Sequence, residues 1–424
     1  MHAVLSCAAA CGRQLRVTPV VARAANAAAA PSARRWSSGA AEAARRRLWR
    51  WGKGARAESH EPALEELRGV SAVACGSGHS AFVVDGRLYT CGSNKYSQLG
   101  RSVEGPKGDL GVVAFDSAVS QVSLGDQHTA ALTEDGTLWT WGWGGSFWSG
   151  AGALGHGGKE TVEAPRRVEQ FVDAGEAVVQ VACGGQHTLV LTDEGRVYST
   201  GKGEFGRLGH GGSHDETEFR EIEYFYDADD SVLAKGEAVK IVKVGAGSNY
   251  SAALSSSGEL WLWGSNDNGQ LGLGEEAMGD MYSAELYPRL VRSLPSDGLR
   301  VVDFACGTYQ ILVLTDQGSL YEWGGKTWLE PREVPVEPHD REKLSSVKKL
   351  ATGDKFSLAV TADGTLFSWG SRATSCLAQG AKCTKIVPEP TPVPAGTFGH
   401  QPLVDVVASS SRCFAISLED SYLA

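Results

Sequence analysis

Short runs of apolar residues recur along the chain, each followed by a turn containing Gly and then by a segment in which bulky and small side chains alternate. Val122 to Gly142, VSLGDQHTAALTEDGTLWTWG, shows the unit. Thr129 to Thr133 reads as a buried strand, and Asp135-Gly136 supplies the turn. Leu138-Trp139-Thr140-Trp141 has the period of two expected of a pleated strand carrying bulky groups. Val181 to Gly201, Val244 to Gly264, Phe304 to Gly324 and Leu350 to Gly370 align with it without gaps, and Val73 to Gly92 is one residue shorter before its turn. No copy has a 3.6-residue apolar period, which excludes a helical solenoid. Each unit predicts a β-hairpin whose turn Gly accepts positive φ.

The first Gly of these units falls at Gly76, Gly125, Gly184, Gly247, Gly307 and Gly353, with spacings of 49, 59, 63, 60 and 46 residues. That is the range of a four-stranded propeller blade with variable loops. Val407 to Leu418 matches the first strands of a seventh unit but lacks the Leu-aromatic-x-Trp-Gly strand. That strand is present at the other end of the chain, as Leu48-Trp49-Arg50-Trp51-Gly52. The pattern therefore predicts an all-β, seven-bladed propeller of four-stranded blades over residues 42–424, closed by pairing an N-terminal strand with a C-terminal half-blade. Closure of this kind removes open strand edges.

Composition separates residues 1–41 from the rest: they hold five Arg, no Asp or Glu, and many Ala and Ser. This is the composition of a mitochondrial targeting leader, and Arg34-Arg35-Trp36-Ser37 has the form of a matrix-processing site. The expected location is the matrix or the matrix side of the inner membrane. Without those five Arg, the net charge of −10 becomes −15, which disfavours general binding to nucleic acid or anionic lipid. No apolar run reaches the roughly 18 residues of a membrane-spanning helix, so direct membrane insertion is not expected.

The motifs Gly-x-x-His-(Ser/Thr), Gly-x-Leu-aromatic-x-Trp-Gly and Gly-x-Leu-Gly together resemble the repeat of the regulator of chromosome condensation family. The third motif stands at Gln98-Leu99-Gly100, Ala153-Leu154-Gly155, Arg207-Leu208-Gly209 and Gly269-Gln270-Leu271-Gly272. The resemblance covers nearly all of the chain after the leader and marks a divergent mitochondrial-type member. His holds the fourth position only at His79, His128 and His187, and Tyr250, Gln310, Phe356 and Cys413 replace it later. The fifth unit has Lys326-Thr327-Trp328 where the Gly-x-Leu-Gly loop belongs. The resemblance implies a non-enzymatic protein-interaction scaffold, a subunit or assembly factor of a large mitochondrial complex such as the ribosome or the respiratory chain. The alternative it implies is a guanine-nucleotide exchange factor for a small GTPase, the activity of the founding member. Members that sense ultraviolet light carry Trp just after the lead Gly; Ser77, Asp126, Gly185, Ser248, Thr308, Asp354 and Ser411 stand there instead.

Candidate chemistry is sparse. His79, His128 and His187 share one repeat position in separate blades, so they read as structural residues bonding backbone in their own blade rather than as ligands of one metal. Cys75, Cys183 and Cys306 read as small buried residues, and Cys376 and Cys383 share one loop. Gly201 to Gly206 matches G-x-G-x-x-G, yet no helical pattern follows to receive a pyrophosphate, so it reads as a repeat loop and no cofactor is expected. The acidic insertion 214–230 reads by default as a solvated loop; the surfaces expected to bind partners are Trp143, Phe147 and Trp148 in a Gly-rich loop, and Glu216, Glu218, Glu221, Glu223, Asp227, Asp229 and Asp230 of that insertion. The acidic body favours basic proteins as partners. Arg341, Lys343, Lys348, Lys349 and Lys355 read as a solvated basic face rather than an RNA site.

Overall fold

The computed structural model describes residues 46–52, 67, 69–105, 107–146, 150–226, 232–235, 239–274, 283–292, 294, 298–371, 376–380 and 386–418. Blade one comprises the antiparallel strands Val70–Cys75, His79–Val84, Arg87–Ser93 and Lys107–Val113. The same order recurs in blade two (Val119–Leu124, His128–Thr133, Leu138–Gly142, Val162–Arg167) and in blade three (Val178–Cys183, His187–Thr192, Val197–Gly201, Glu216–Glu221). Blade four begins with Ile241–Ala246, Tyr250–Ser255, Leu260–Ser265 and Ala284–Leu290, and blade five with Val301–Cys306, Gln310–Thr315, Leu320–Gly324 and Trp328–Glu333. Blade six comprises Val347–Thr352, Phe356–Thr361, Leu366–Ser371 and Ile386–Pro392. Blade seven places Arg46–Gly52 beside Arg412–Leu418, which pairs in turn with Leu403–Ala408.

The ring closes as the repeat count predicts. Register is unbroken from Arg46↔Leu418 to Gly52↔Arg412. Leu48, Trp49 and Trp51 are buried there, and both indoles meet the Phe398 ring edge-on at 5.6 and 5.4 Å. Trp49 Nε1 donates to Ser417 Oγ at 2.8 Å, and Trp51 Nε1 to the Cys376 carbonyl at 2.7 Å. Burial of a large apolar side chain stabilises by about 1.5–3 kcal/mol. Three of them outweigh strand propensity, which spans about 1 kcal/mol. Aromatic burial thus drives the closure.

The hairpin turns explain the shorter first copy. Asp85 and Gly86 both have positive φ, 49° and 74°, as a two-residue type I′ turn requires. Blade two instead bonds Gly136 N–H to Thr133 O and Thr133 N–H to Thr137 O, so only Gly136 is left-handed, at φ 80°. One added residue changes the turn type while the strands stay in place.

Residues 216–226 of the acidic insertion are built into the blade sheets rather than standing as a solvated loop. Glu216–Glu221 is the outer strand of blade three, paired from Gly201↔Glu216 to Tyr198↔Glu221 with a register shift between Gly201 and Ser199. Phe219, Ile222 and Phe225 are buried: Phe219 fills the space between blades two and three, and Ile222 and Phe225 fill that between blades three and four. Tyr224–Tyr226 then joins blade four, parallel to Ala284–Leu290 and antiparallel to Val232–Lys235, and makes that sheet six-stranded.

Candidate partner-binding surfaces

First-to-second strand turns and third-to-fourth strand loops lie at one end of the blades, because successive strands alternate direction. The repeat histidines stand at this end, and their bonds cross between blades. His79 Nε2 lies 2.9 Å from Thr129 Oγ1, His128 Nε2 3.0 Å from Thr188 Oγ1, and His187 Nε2 2.9 Å from Ser251 Oγ. Each acceptor belongs to the next blade, so the expectation of bonds within one blade is corrected. The reason is reach: the ring extends past its own strand to the hydroxyl that follows the next blade's His or its substitute. Those hydroxyls donate to the Gln98, Ala153 and Arg207 carbonyls at 2.8 Å. A hydroxyl has one proton to give, so Nε2–H is the donor in each imidazole. Burial pulls His79 down to about 3 and His128 down to about 4, and holds His187 well below the usual range. All three are neutral clamps.

The lead glycines serve the same contact. A Cβ on Gly76, Gly125 or Gly184 would meet the lead Gly carbonyl of the next blade at 2.5–2.6 Å. Gly307 and Gly353 are equally tight, and at Gly247 a Cβ would strike the Tyr250 ring. These positions are Gly because adjacent turns touch, not because of an unusual φ.

Where His is absent, other groups make the bridge. Tyr250 Oη donates to the Gln310 carbonyl at 2.6 Å and lies 3.2 Å from the Gly307 carbonyl. The Gln310 amide donates to the Phe356 carbonyl at 2.9 Å. The third-to-fourth strand loops of blades one and four are gripped from the following blade: Trp141 Nε1 donates to Gln98 O and Trp323 Nε1 to Gln270 O, both at 3.0 Å. In blade six Cys376-Leu377-Ala378 plays the part of Gln98-Leu99-Gly100. Ser368 Oγ donates to Leu377 O as Thr90 Oγ1 does to Leu99 O, and Ala378 takes φ 54° where Gly100 takes 67°. Blade five has only Gly325 to Thr327 between its last two strands. With no loop carbonyl to meet, Trp369 Nε1 donates to Glu322 Oε2 at 2.8 Å, and Ser357 Oγ lies 3.4 Å from the same oxygen. Burial raises the Glu322 carboxyl above its ordinary range. Glu322 and the blade-six loop were missed in the sequence, where nothing but position marks them.

The remaining candidates disperse. Trp143 is half-buried with its ring 6.4 Å from Tyr96, edge-on, while Phe147 and Trp148 lie outside the described residues. Glu216 pairs with Arg220 at 2.9 Å, and Glu221 stands in the field of Arg196 and Tyr198. Glu218 and Glu223 are exposed, and Asp227, Asp229 and Asp230 lie outside the described residues, as does Cys383. The basic residues form no single patch. Arg341 and Lys343 lie on the short helix Arg341–Leu344 and Lys355 beyond the far end of Val347–Thr352, while Lys349 Nζ is 3.7 Å from Asp405. A six-residue strand separates those ends by about 20 Å. Cys75, Cys183 and Cys306 are part-buried, with burial pushing each thiol up to about 12, far from the range of a reactive thiolate. After Gly201 comes only the one-turn Glu204–Gly206, and Gly203 N–H is satisfied by Asp215 at 2.9 Å, so G-x-G-x-x-G is a repeat loop. Among the described residues no three His, Cys, Asp or Glu side chains converge as a metal site, and no helix is long and apolar enough to cross a membrane.

Known proteins share this architecture and this repeat. The chain is 33% identical over 315 residues to the mitochondrial RCC1 domain-containing protein RUG3 of Arabidopsis thaliana, covering 70% of this chain and 64% of that protein, just under two thirds of its length. It is 30% identical over 364 residues to the human E3 ubiquitin-protein ligase HERC2, covering 82% of this chain but 7% of HERC2. Among solved structures it resembles Prp20p of Saccharomyces cerevisiae, with a TM-score of 0.72 and 19% identity over 89% of this chain and 92% of that one. It also resembles human WBSCR16, with a TM-score of 0.68 and 24% identity over 88% and 99%. At those identities the structures speak to the fold. With a match to the RCC1-like domain over residues 39–418 and seven blades in the ring, the chain belongs to the RCC1-like domain family.

Proposed function

We propose that this chain is a non-enzymatic interaction scaffold in mitochondria, a stable subunit or assembly factor of a large complex such as the ribosome or a respiratory complex. The observation that carries the reading is the division of labour in the ring. Side-chain bonds between blades fix the frame, while variable loops and added strands stand outside it. A rigid frame presenting variable loops is a binding architecture. The Arg-rich, acid-free leader and the likeness to a mitochondrial RCC1 domain protein support the location, on the matrix side. The net charge of −10 favours basic proteins as partners.

The test is native-size fractionation of isolated mitochondria with mass spectrometry of what co-migrates. Co-migration with a ribosomal subunit or a respiratory complex is the expected result; migration as a free chain would overturn it. A second reading, guanine-nucleotide exchange on a small GTPase, draws on the family and on Prp20p, a neighbour in fold that binds Gsp1p. It requires faster nucleotide release from a mitochondrial GTPase when this chain is added.

A further inference from the structure

The seam between blades six and seven carries sulfur where other seams carry oxygen. Sequence alignment of the repeats puts Cys413 at the histidine position; strand register moves it one place on. Arg412 stands opposite Gly52 as His128 stands opposite Gly142, so Cys413 takes the position of Thr129. Cys376 takes that of Gln98 in the loop of the preceding blade. Thr129, Thr188 and Ser251 each donate to such a loop carbonyl at 2.8 Å. Cys413 Sγ lies 3.9 Å from the Cys376 carbonyl oxygen, and a thiol is a weak donor, so this seam gives up the strength of that bond. In its place two thiols meet. The Cys413 and Cys376 side chains are in hydrogen-bonding contact, and both are 0% exposed. Cys75, across the next seam, bonds Ser409 instead.

Both thiols lie beneath the closing strand Arg46–Gly52. Trp51 is the register partner of Cys413, and a Cβ on Gly52 would come within 3.1 Å of Cys376 Sγ. Burial holds the Cys413 thiol well above its ordinary range, so little thiolate forms while that strand is in place.

We propose that Cys376 and Cys413 are an oxidative modification site, forming a disulfide that locks blade seven to blade six when the closing strand lifts in the presence of a peroxide. One thiolate attacks the O–O bond of hydrogen peroxide, giving a sulfenic acid and hydroxide. The other thiol attacks that sulfur, the S–S bond forms and water leaves. Per disulfide, two thiols lose two electrons and two protons, and one hydrogen peroxide becomes two waters. The bond joins positions 37 residues apart and holds the blade-six loop on Arg412–Leu418 without depending on the N-terminal strand.

The test treats the full chain with hydrogen peroxide, with and without urea below the unfolding midpoint, then alkylates the remaining thiols and identifies linked peptides by mass spectrometry. The 376–413 link is expected as the main product, forming about tenfold faster with urea, which raises the open population. The linked chain should unfold about 5 °C higher than the reduced one, and dithiothreitol should reverse the shift. Cys376→Ser and Cys413→Ser should show neither link nor shift. Absence of the link, linkage of either cysteine to Cys75 or Cys91, equal rates with and without urea, or an unchanged midpoint in the linked chain would each overturn the proposal. The mass measurement on the wild-type chain decides the matter whether or not a serine variant folds.

Discussion

Replacing Glu322 by Leu is expected to destabilise the ring by about 2 kcal/mol. Trp369, only 1% exposed, would keep a buried indole N–H with no acceptor, and an orphaned buried donor costs about 1–3 kcal/mol. Ser357 would lose a long contact of 3.4 Å but still receives the Gln310 amide at 3.2 Å, so its share is small. The added apolar side chain returns part of the loss. Glu322→Gln keeps an acceptor in place and should fall within about 1 kcal/mol of wild type. Urea unfolding followed by circular dichroism at 222 nm gives the midpoints, and Trp369→Phe completes a double-mutant cycle. The coupling between positions 322 and 369 should be about 1–2 kcal/mol. The carboxyl is raised from an ordinary 4.5, so its contribution is complete below that pH and declines as pH rises through the folded-state value. Glu322→Gln should remove that slope. A Glu322→Leu protein unfolding at the wild-type urea concentration, or a coupling of zero, would refute the claim that this carboxylate replaces the missing loop.

Other outcomes follow from the same frame. Ala378→Gly should stabilise by about 0.5–1 kcal/mol, since Ala378 is held at φ 54°, and a shifted urea midpoint reports it. Thr188→Val, which removes the hydroxyl between His128 and the Ala153 carbonyl, should cost about 1–3 kcal/mol, and Thr188→Ser should restore most of it. The three clamp histidines are depressed from 6.5, so their contribution is intact above that pH and is lost as pH falls toward about 3 to 4. Stability should drop by up to about 4 kcal/mol per pH unit in that window, and His→Gln variants should flatten the profile. Deleting residues 1–52 should abolish cooperative unfolding, whereas deleting 1–41 should leave the midpoint unchanged, because only the former removes the closing strand Arg46–Gly52.

The repeat, its count and its closure were legible because each blade makes the same local demands. A turn needs Gly136 or its counterpart at positive φ, a pleated strand needs period two, and Trp51 needs a place in a core. Such demands act over a few residues and print themselves in the chain. The partners of those residues did not. His79, His128 and His187 were legible as structural but not as clamps between blades, because their acceptors lie 50, 60 and 64 residues away. The Cys376–Ala378 loop was hidden because backbone carbonyls form its contacts, and any residue supplies a carbonyl. The acidic stretch read as a loop because its charges are dense; the buried faces of Phe219, Ile222 and Phe225 make sense only with two blades in place.

By itself, then, the sequence determined what short-range sterics and hydrophobic periodicity control: the strands, the turns, the seven-fold count and the chain ends that meet. Tertiary structure alone decided which hydroxyl each His reaches, that Glu322 stands in for an absent loop, and that Tyr224, Tyr226 and Tyr287 gather at one edge. Those contacts join residues from different blades or added strands. Their geometry exists only once ring closure brings distant segments to fixed positions, so no window of sequence contains it.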